Sequence, residues 1–225
     1  TVSGQPSESP NTPKVNNIMG HQQRDVALLS CLAILAALCT TGCAGEDFYS
    51  HSVKDHQGQD VALESYRGKV TLVVNVASLC GYTESTYRAL KKLHDILSYG
   101  GHFSVLAFPC NQFGEQEPLD IEDILEHVTS EYDVEFPVFN KIDVVGPNAD
   151  PAFRQLIEDS SIVPDWNFYK YLVNGSGRVV GAWGTRVTIE EIFDEIQAEV
   201  EKAKKAAPAA KKEASPSEGG NKDEL

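Results

Sequence analysis

Residues Val70 to Ala77 read Val-Thr-Leu-Val-Val-Asn-Val-Ala, a largely β-branched run without a charge. Such a run predicts a strand buried on both faces, of the kind found in the middle of a mostly parallel sheet covered by helices. The run breaks at Gly81, and from Thr83 the apolar residues Tyr87, Leu90, Leu93 and Leu97 recur at helical spacing. Cys80 therefore stands where a central strand hands over to a helix. The free N–H groups and the positive end of the macrodipole at a helix N-terminus favour a thiolate over a thiol. The gain is a few tens-fold in reactive species, roughly 2 kcal/mol, and part of it is returned because a less basic sulfur is a weaker nucleophile. The carboxyl edge of an open α/β sheet is also where such folds place their sites. At this point a small buried hydrophobe, the usual fate of a free cysteine, is the competing reading of Cys80.

The 225 residues suffice for one domain with a substantial core plus extensions. A formal net charge of −14 argues against nucleic acid, because phosphate binding needs a basic face. Of the five cysteines, Cys31, Cys39 and Cys43 share one apolar N-terminal segment, which leaves Cys80 and Cys110 in the body of the chain. None of the spacings makes a C-x-x-C pair, and the six histidines show no metal-ligand pattern, so neither a metal nor a resident cofactor is expected.

Residues 1–18 are polar and read as upstream sequence ahead of Met19. Arg24, the apolar run Val26 to Leu38 and the small residues Thr40 to Gly45 make the three-part pattern of a secretory signal peptide over 19–45. A stable membrane anchor needs about 20 apolar residues, more than this run has; a lipoprotein site at Cys43 is the other alternative. The chain closes on Lys222-Asp223-Glu224-Leu225, the signal read by the retrieval receptor of the endoplasmic reticulum. Together the two signals predict an oxidising lumen, where thiol chemistry belongs.

Between these ends, residues 46–201 read as a single domain. A lead-in with a turn at Asp55 to Gly58 precedes the central strand. After the first helix, His102 to Phe108 is a second apolar strand that stops at Pro109, followed by the amide-rich loop Cys110 to Pro118. Asp120 caps a helix with Ile121, Ile124, Leu125 and Val128 on one face, and Ala152 to Ile157 is a short helix. Phe168 to Val173 and Arg178 to Trp183 alternate at strand period around Asn174-Gly175-Ser176-Gly177, a hairpin signal that also contains an N-glycosylation sequon. Thr188 and Glu191 form a capping box for a last helix. From residue 202 to 225 the Lys, Ala, Pro, Glu, Ser and Gly composition predicts a disordered tail that presents the terminal signal.

The order of elements suggests a thioredoxin-like α/β fold, a central mixed sheet flanked by helices. A thioredoxin would carry its second cysteine where this chain has Thr83, which disfavours a dithiol mechanism. Three strings, Asn75-Val-Ala-Ser-Leu-Cys-Gly-Tyr-Thr83, Phe108-Pro-Cys-Asn-Gln-Phe-Gly-Glu-Gln-Glu-Pro118 and Trp166-Asn-Phe168, together resemble the glutathione peroxidase family. The resemblance covers about Asp47 to Glu201 and is strongest to the cysteine-type endoplasmic-reticulum members, groups seven and eight. It implies a catalytic tetrad of Cys80, Gln116, Trp166 and Asn167, with Cys80 in place of the selenocysteine of other members.

The resemblance implies a thiol-dependent peroxidase that reduces hydrogen peroxide or organic and lipid hydroperoxides through a sulfenic acid on Cys80. As sulfur attacks one peroxide oxygen, negative charge builds on the other, and uncharged donors aimed there lower the barrier. Gln, Asn and indole N–H groups are such donors. Two routes of regeneration stay open. Cys110, following a strand expected to neighbour that of Cys80, is a candidate resolving cysteine; alternatively glutathione or a protein disulfide isomerase attacks Cys80 directly. A peroxide sensor or chaperone-binding adaptor that uses Cys80 stoichiometrically is the alternative from another class, and a monomer is expected.

Overall fold

The computed structural model describes residues 45–213. The upstream segment, the signal sequence through residue 44 and Lys222-Leu225 lie outside the described residues. A 3₁₀ turn at Phe48–Ser50 leads into an antiparallel hairpin of β1 (Ser52–Lys54) and β2 (Asp60–Ala62), and a second 3₁₀ turn, Leu63–Tyr66, follows. Asp55 shapes the hairpin turn by accepting from the amides of Gln57 and Gln59, each at 2.9 Å. The remaining elements are β3 (Val70–Val76), α1 (Thr83–Leu97), β4 (Phe103–Pro109), α2 (Ile121–Tyr132), α3 (Pro151–Ser160), β5 (Lys170–Val173), β6 (Val179–Trp183) and α4 (Ile189–Glu213).

The four longer strands make one mixed sheet in the order β4-β3-β5-β6, with β3 and β4 parallel and β5 and β6 antiparallel. The inner position of β3 accounts for its uncharged sequence, since every residue from Val70 to Val76 is buried. Its side chains alternate between two cores. Leu72, Val74 and Val76, with Val105 and Ala107 of β4, pack against Tyr87, Leu90 and Leu93 of α1 and Ile192 and Ile196 of α4. On the other face, Val73, Leu106 and Phe108 meet Phe48, Phe139, Phe153 and Tyr171. There Phe108 stacks on Phe139 at 4.7 Å and meets Phe153 edge-on at 5.3 Å. Each such side chain contributes about 1.5–3 kcal/mol on burial.

Helix ends depart from the sequence reading in two places. Asp120 occupies the position before α2 in extended backbone, but its side chain makes no capping hydrogen bond; Glu122 and Asp123 in the first turn complement the helix dipole instead. More consequentially, α4 continues through Glu213, beyond residue 201 where the disordered tail was expected to start. Lys, Ala and Glu are strong helix formers, Glu199–Lys202 and Glu201–Lys204 pair along the helix at 2.7 and 2.8 Å, and Ala203 still packs on the core. The low apolar content that reads as spacer is thus compatible with an extended helix.

Elsewhere the local signals and the structure agree. Thr188 N–H donates to Glu191 Oε2 at 2.7 Å and Glu191 N–H to Thr188 Oγ1 at 3.3 Å, closing the capping box of α4. At the β5–β6 tip, Asn174 Oδ1 accepts from the Ser176 amide at 3.0 Å, the Ser176 hydroxyl at 2.8 Å and the Arg178 amide at 3.1 Å. β5 starts at Lys170 rather than Phe168, because Phe168 has a left-handed backbone, φ +66°.

Candidate active site

The chain leaves β3 and turns sharply before α1, and Thr83 staples that turn. Its hydroxyl donates to Ala77 O at 2.6 Å and accepts the Cys80 N–H at 3.1 Å, while its own N–H donates to Cys80 O at 3.0 Å. The residue that stands where a dithiol enzyme carries its second cysteine is therefore a structural tie. Cys80 is 8% exposed, and the neighbouring Leu79 is 60% exposed. The candidate nucleophile thus lies almost buried beside an exposed leucine.

The amide-rich loop divides its amides between two jobs. Gln112 holds the loop down: its Oε1 accepts from the Val144 and Val145 amides at 2.7 and 3.0 Å, and its Nε2 donates to Val145 O at 2.9 Å. Asn111 Oδ1 accepts the Glu117 N–H at 2.8 Å. Two consecutive left-handed residues, Gly114 (φ +68°) and Glu115 (φ +54°), then turn the chain so that Gln116 comes back toward the Cys80 turn. Leu79 N–H donates to Gln116 O at 2.9 Å and docks the two segments together. Gly114 is favoured by its φ, and a Cβ there would press on Trp166 Cη2 at 3.2 Å.

Trp166 and Asn167 arrive on the segment before β5. Asn167 is fully buried, and its Nδ2 donates to Gln116 Oε1 at 3.0 Å and to Phe113 O at 3.3 Å. Both amide hydrogens are thereby used inside the protein. Asn167 orients Gln116, so that with Oε1 held the Gln116 amide hydrogens are left for the site. This differs from the sequence expectation, in which Asn167 itself donates to the peroxide. Trp166 is 37% exposed, and its indole N–H has no protein acceptor among the described residues. Trp166 and Tyr82 border a cavity of about 510 Å³ that Tyr169, Thr185 and Arg186 also line.

Phe168 pays for this placement with a strained backbone, worth about 1–3 kcal/mol for a residue of its kind. Three side chains hold the strain. Asn75, buried in β3, donates from Nδ2 to Trp166 O at 3.1 Å and accepts the Tyr169 N–H at 2.9 Å, while its backbone carbonyl accepts the Phe168 N–H at 2.7 Å. Thr185 Oγ1 donates to Asn167 O at 2.6 Å. Lys170 Nζ donates to Phe168 O at 2.8 Å and Gly184 O at 3.3 Å; burial lowers its pKa to about 8.

The family profile described as glutathione peroxidase matches residues 48–157. Bovine glutathione peroxidase 7 is 49% identical over 171 residues, which covers 76% of this chain and 90% of the bovine protein. The chain belongs to the glutathione peroxidase family. Human probable glutathione peroxidase 8 is 50% identical over 152 residues, covering 67% of this chain and 72% of the human protein. Among solved structures, that of Trgpx in apo form aligns with a TM-score of 0.59 at 33% identity, covering 70% of this chain and 98% of that one. A thioredoxin-family thiol:disulfide interchange protein from Chlorobium tepidum aligns with a TM-score of 0.51 at 14% identity over 67% of this chain and 92% of that one, a likeness of fold alone. The fold is thioredoxin-like, and the chain is a peroxidase of the oxidoreductase class.

Measured against this glutathione peroxidase frame, the structure brings Gln116, Trp166 and Asn167 together and docks them on the turn of Cys80. It does not bring Cys110 to Cys80. Cys110 continues the alternation of Leu106 and Phe108 and lies fully buried in their core, whereas Cys80 belongs to the core on the opposite face of the sheet. Both thiols are free, and burial pushes the Cys110 thiol up. Asn75, Lys170 and Thr185 were missed as site residues by sequence reasoning. The signal for the first two was there: a polar side chain within an otherwise apolar run. Among the described residues no three His, Cys, Asp or Glu side chains are placed to hold a metal ion.

Proposed function

We propose that the protein reduces hydrogen peroxide or organic hydroperoxides with Cys80 and is regenerated directly by an external thiol, glutathione or a protein disulfide isomerase. The observation that carries the reading is the Asn167–Gln116 hydrogen bond, which fixes the Gln116 amide beside the Cys80 turn with its N–H groups unspent. The Cys80 sulfur attacks one peroxide oxygen, the O–O bond breaks, and the thiol proton ends on the departing oxygen, giving a sulfenic acid and water or an alcohol. A first external thiol condenses with the sulfenic acid to a mixed disulfide and water; a second releases the Cys80 thiol and leaves as a disulfide. No resident cofactor enters these steps.

Cys110 takes no part in this scheme, because a disulfide needs side chains that face each other and the two cysteines belong to cores on opposite faces of the sheet. The apolar run after Met19 and Lys222-Leu225 support a place in the lumen of the endoplasmic reticulum, with the retrieval receptor as a partner. Steady-state peroxide consumption by wild type and Cys110→Ser, run with glutathione and with reduced protein disulfide isomerase in parallel, tests the reading. Equal turnover of the two proteins is expected. Loss of turnover in Cys110→Ser would return Cys110 to the mechanism, and peroxide reactivity of Cys80 no faster than a free thiol would favour a stoichiometric sensor.

A further inference from the structure

One titratable side chain beside the site has no role in the chemistry above. Glu117 follows Gln116, is completely buried, and has no hydrogen-bond partner on either carboxyl oxygen among the described residues. Two buried hydroxyls that interact with it, Ser78 Oγ and Tyr87 Oη, are without partners in the same way. Ser78 lies in the turn that carries Cys80, and Tyr87 projects from α1. Unpaired polar groups are rare in protein interiors, and several gathered at one point beside a reaction centre call for a physical account.

The backbone places Glu117 between the two halves of the site. Its N–H is held by Asn111 Oδ1 at 2.8 Å, and the preceding carbonyl, that of Gln116, accepts from Leu79 N–H at 2.9 Å. The carboxyl thus sits between the loop of Gln116 and the turn of Cys80, where the Ser78 hydroxyl and backbone N–H both face it without closing a full hydrogen bond. Tyr87 from α1, Cys110 from the end of β4 and Lys141 from the segment after Phe139 are the other titratable groups that face it. Burial keeps the Tyr87 phenol and the Cys110 thiol neutral through the physiological range, and Lys141 is the cation of this cluster among the described residues. Burial also pushes Glu117 up to about 7, so it is the group of this cluster that changes charge near neutrality.

We propose that Glu117 is a positioning residue for Cys80: as a neutral acid it supports the Ser78 turn against the Gln116 loop, and as a carboxylate it sets a buried negative charge behind the site that opposes negative charge on sulfur and on the departing oxygen. The inference rests on the peroxidase reading and adds to it a restraint that grows as pH rises. The carboxyl exchanges no proton with substrate; it acts through its charge and through Ser78.

Single-turnover oxidation of Cys80 by excess hydrogen peroxide, followed from pH 5.5 to 8.5 in wild type and Glu117→Gln, tests it. Gln keeps the shape and cannot ionise. The ratio of variant to wild-type rate constant is expected to be near one at pH 5.5 and to climb to about tenfold at pH 8, as the carboxylate forms and opposes the charge that develops in the reaction. A ratio that is constant across pH would mean a merely structural role and overturn the inference while the peroxidase reading stands. Rates at the free-thiol level in both proteins at every pH would overturn the peroxidase reading, and this inference with it. Should Glu117→Gln not fold, infrared spectroscopy of the wild type decides: a protonated-carboxyl C=O band that is present at pH 5.5 and fades through neutrality is expected, and its absence at pH 5.5 overturns the inference.

Discussion

Replacing Asn75 by Ala tests whether the strained Trp166-Asn167-Phe168 segment is held from the centre of the sheet. The substitution deletes the donor to Trp166 O and the acceptor for Tyr169 N–H, both anchored on a side chain with no solvent exposure. Leaving a buried polar group unpaired costs about 1–3 kcal/mol, so two such losses amount to about 2–6 kcal/mol. Relaxation of Phe168 from φ +66° returns about 1–3 kcal/mol of strain. The balance is a destabilisation of about 1–3 kcal/mol, which for a domain of this size lowers Tm by about 2–12 °C. Relaxation also withdraws Asn167 from Gln116, and loss of one positioned donor lowers the rate of Cys80 oxidation by about 10²-fold. Urea unfolding gives the first quantity and stopped-flow oxidation by peroxide the second. A stability loss below about 0.5 kcal/mol, or an unchanged oxidation rate in a destabilised protein, would refute the argument that Asn75 maintains the site through the strained segment.

Gln116→Ala is expected to slow Cys80 oxidation by about 10²–10³-fold in single-turnover measurements, and to cost about 1–3 kcal/mol in urea unfolding because the buried Asn167 amide loses its acceptor. Gly114→Ala combines an unfavourable φ of +68° with a Cβ 3.2 Å from Trp166 Cη2; it should cost about 1–2 kcal/mol in urea unfolding and alter the Trp166 fluorescence. Stability should also carry the mark of Glu117. Its carboxyl is raised from 4.5 to about 7 in the folded protein, so between those values the folded state binds more protons than the unfolded one and stability falls as pH rises. At about 1.36 kcal/mol per unit the fall totals about 3 kcal/mol, and urea unfolding at pH 5 and pH 7.5 should show that Glu117→Gln removes it.

Much of this protein is written in local sequence. The uncharged run of β3, the helical spacing from Tyr87 to Leu97 and the Thr188–Glu191 box each report the environment of a single element, because side-chain period and end chemistry are local properties. Gln116, Trp166 and Asn167 could be picked out as candidate site residues for the same reason: each sits in a short recognisable string. What those side chains do was decided by contacts between segments far apart in the chain. Asn167 is turned inward by Gln116 and Phe113 carbonyl oxygens across more than fifty residues, Phe168 takes a left-handed backbone because Asn75, Thr185 and Lys170 hold it there, and Glu117 meets Ser78 and Tyr87 only once the loop folds back. Cys110 shows the division most plainly. Sequence places it after the strand next to that of Cys80, but Cys110 continues the alternation of β4 into one core, whereas Cys80 lies past the end of its strand in the turn to the following helix and packs in the other.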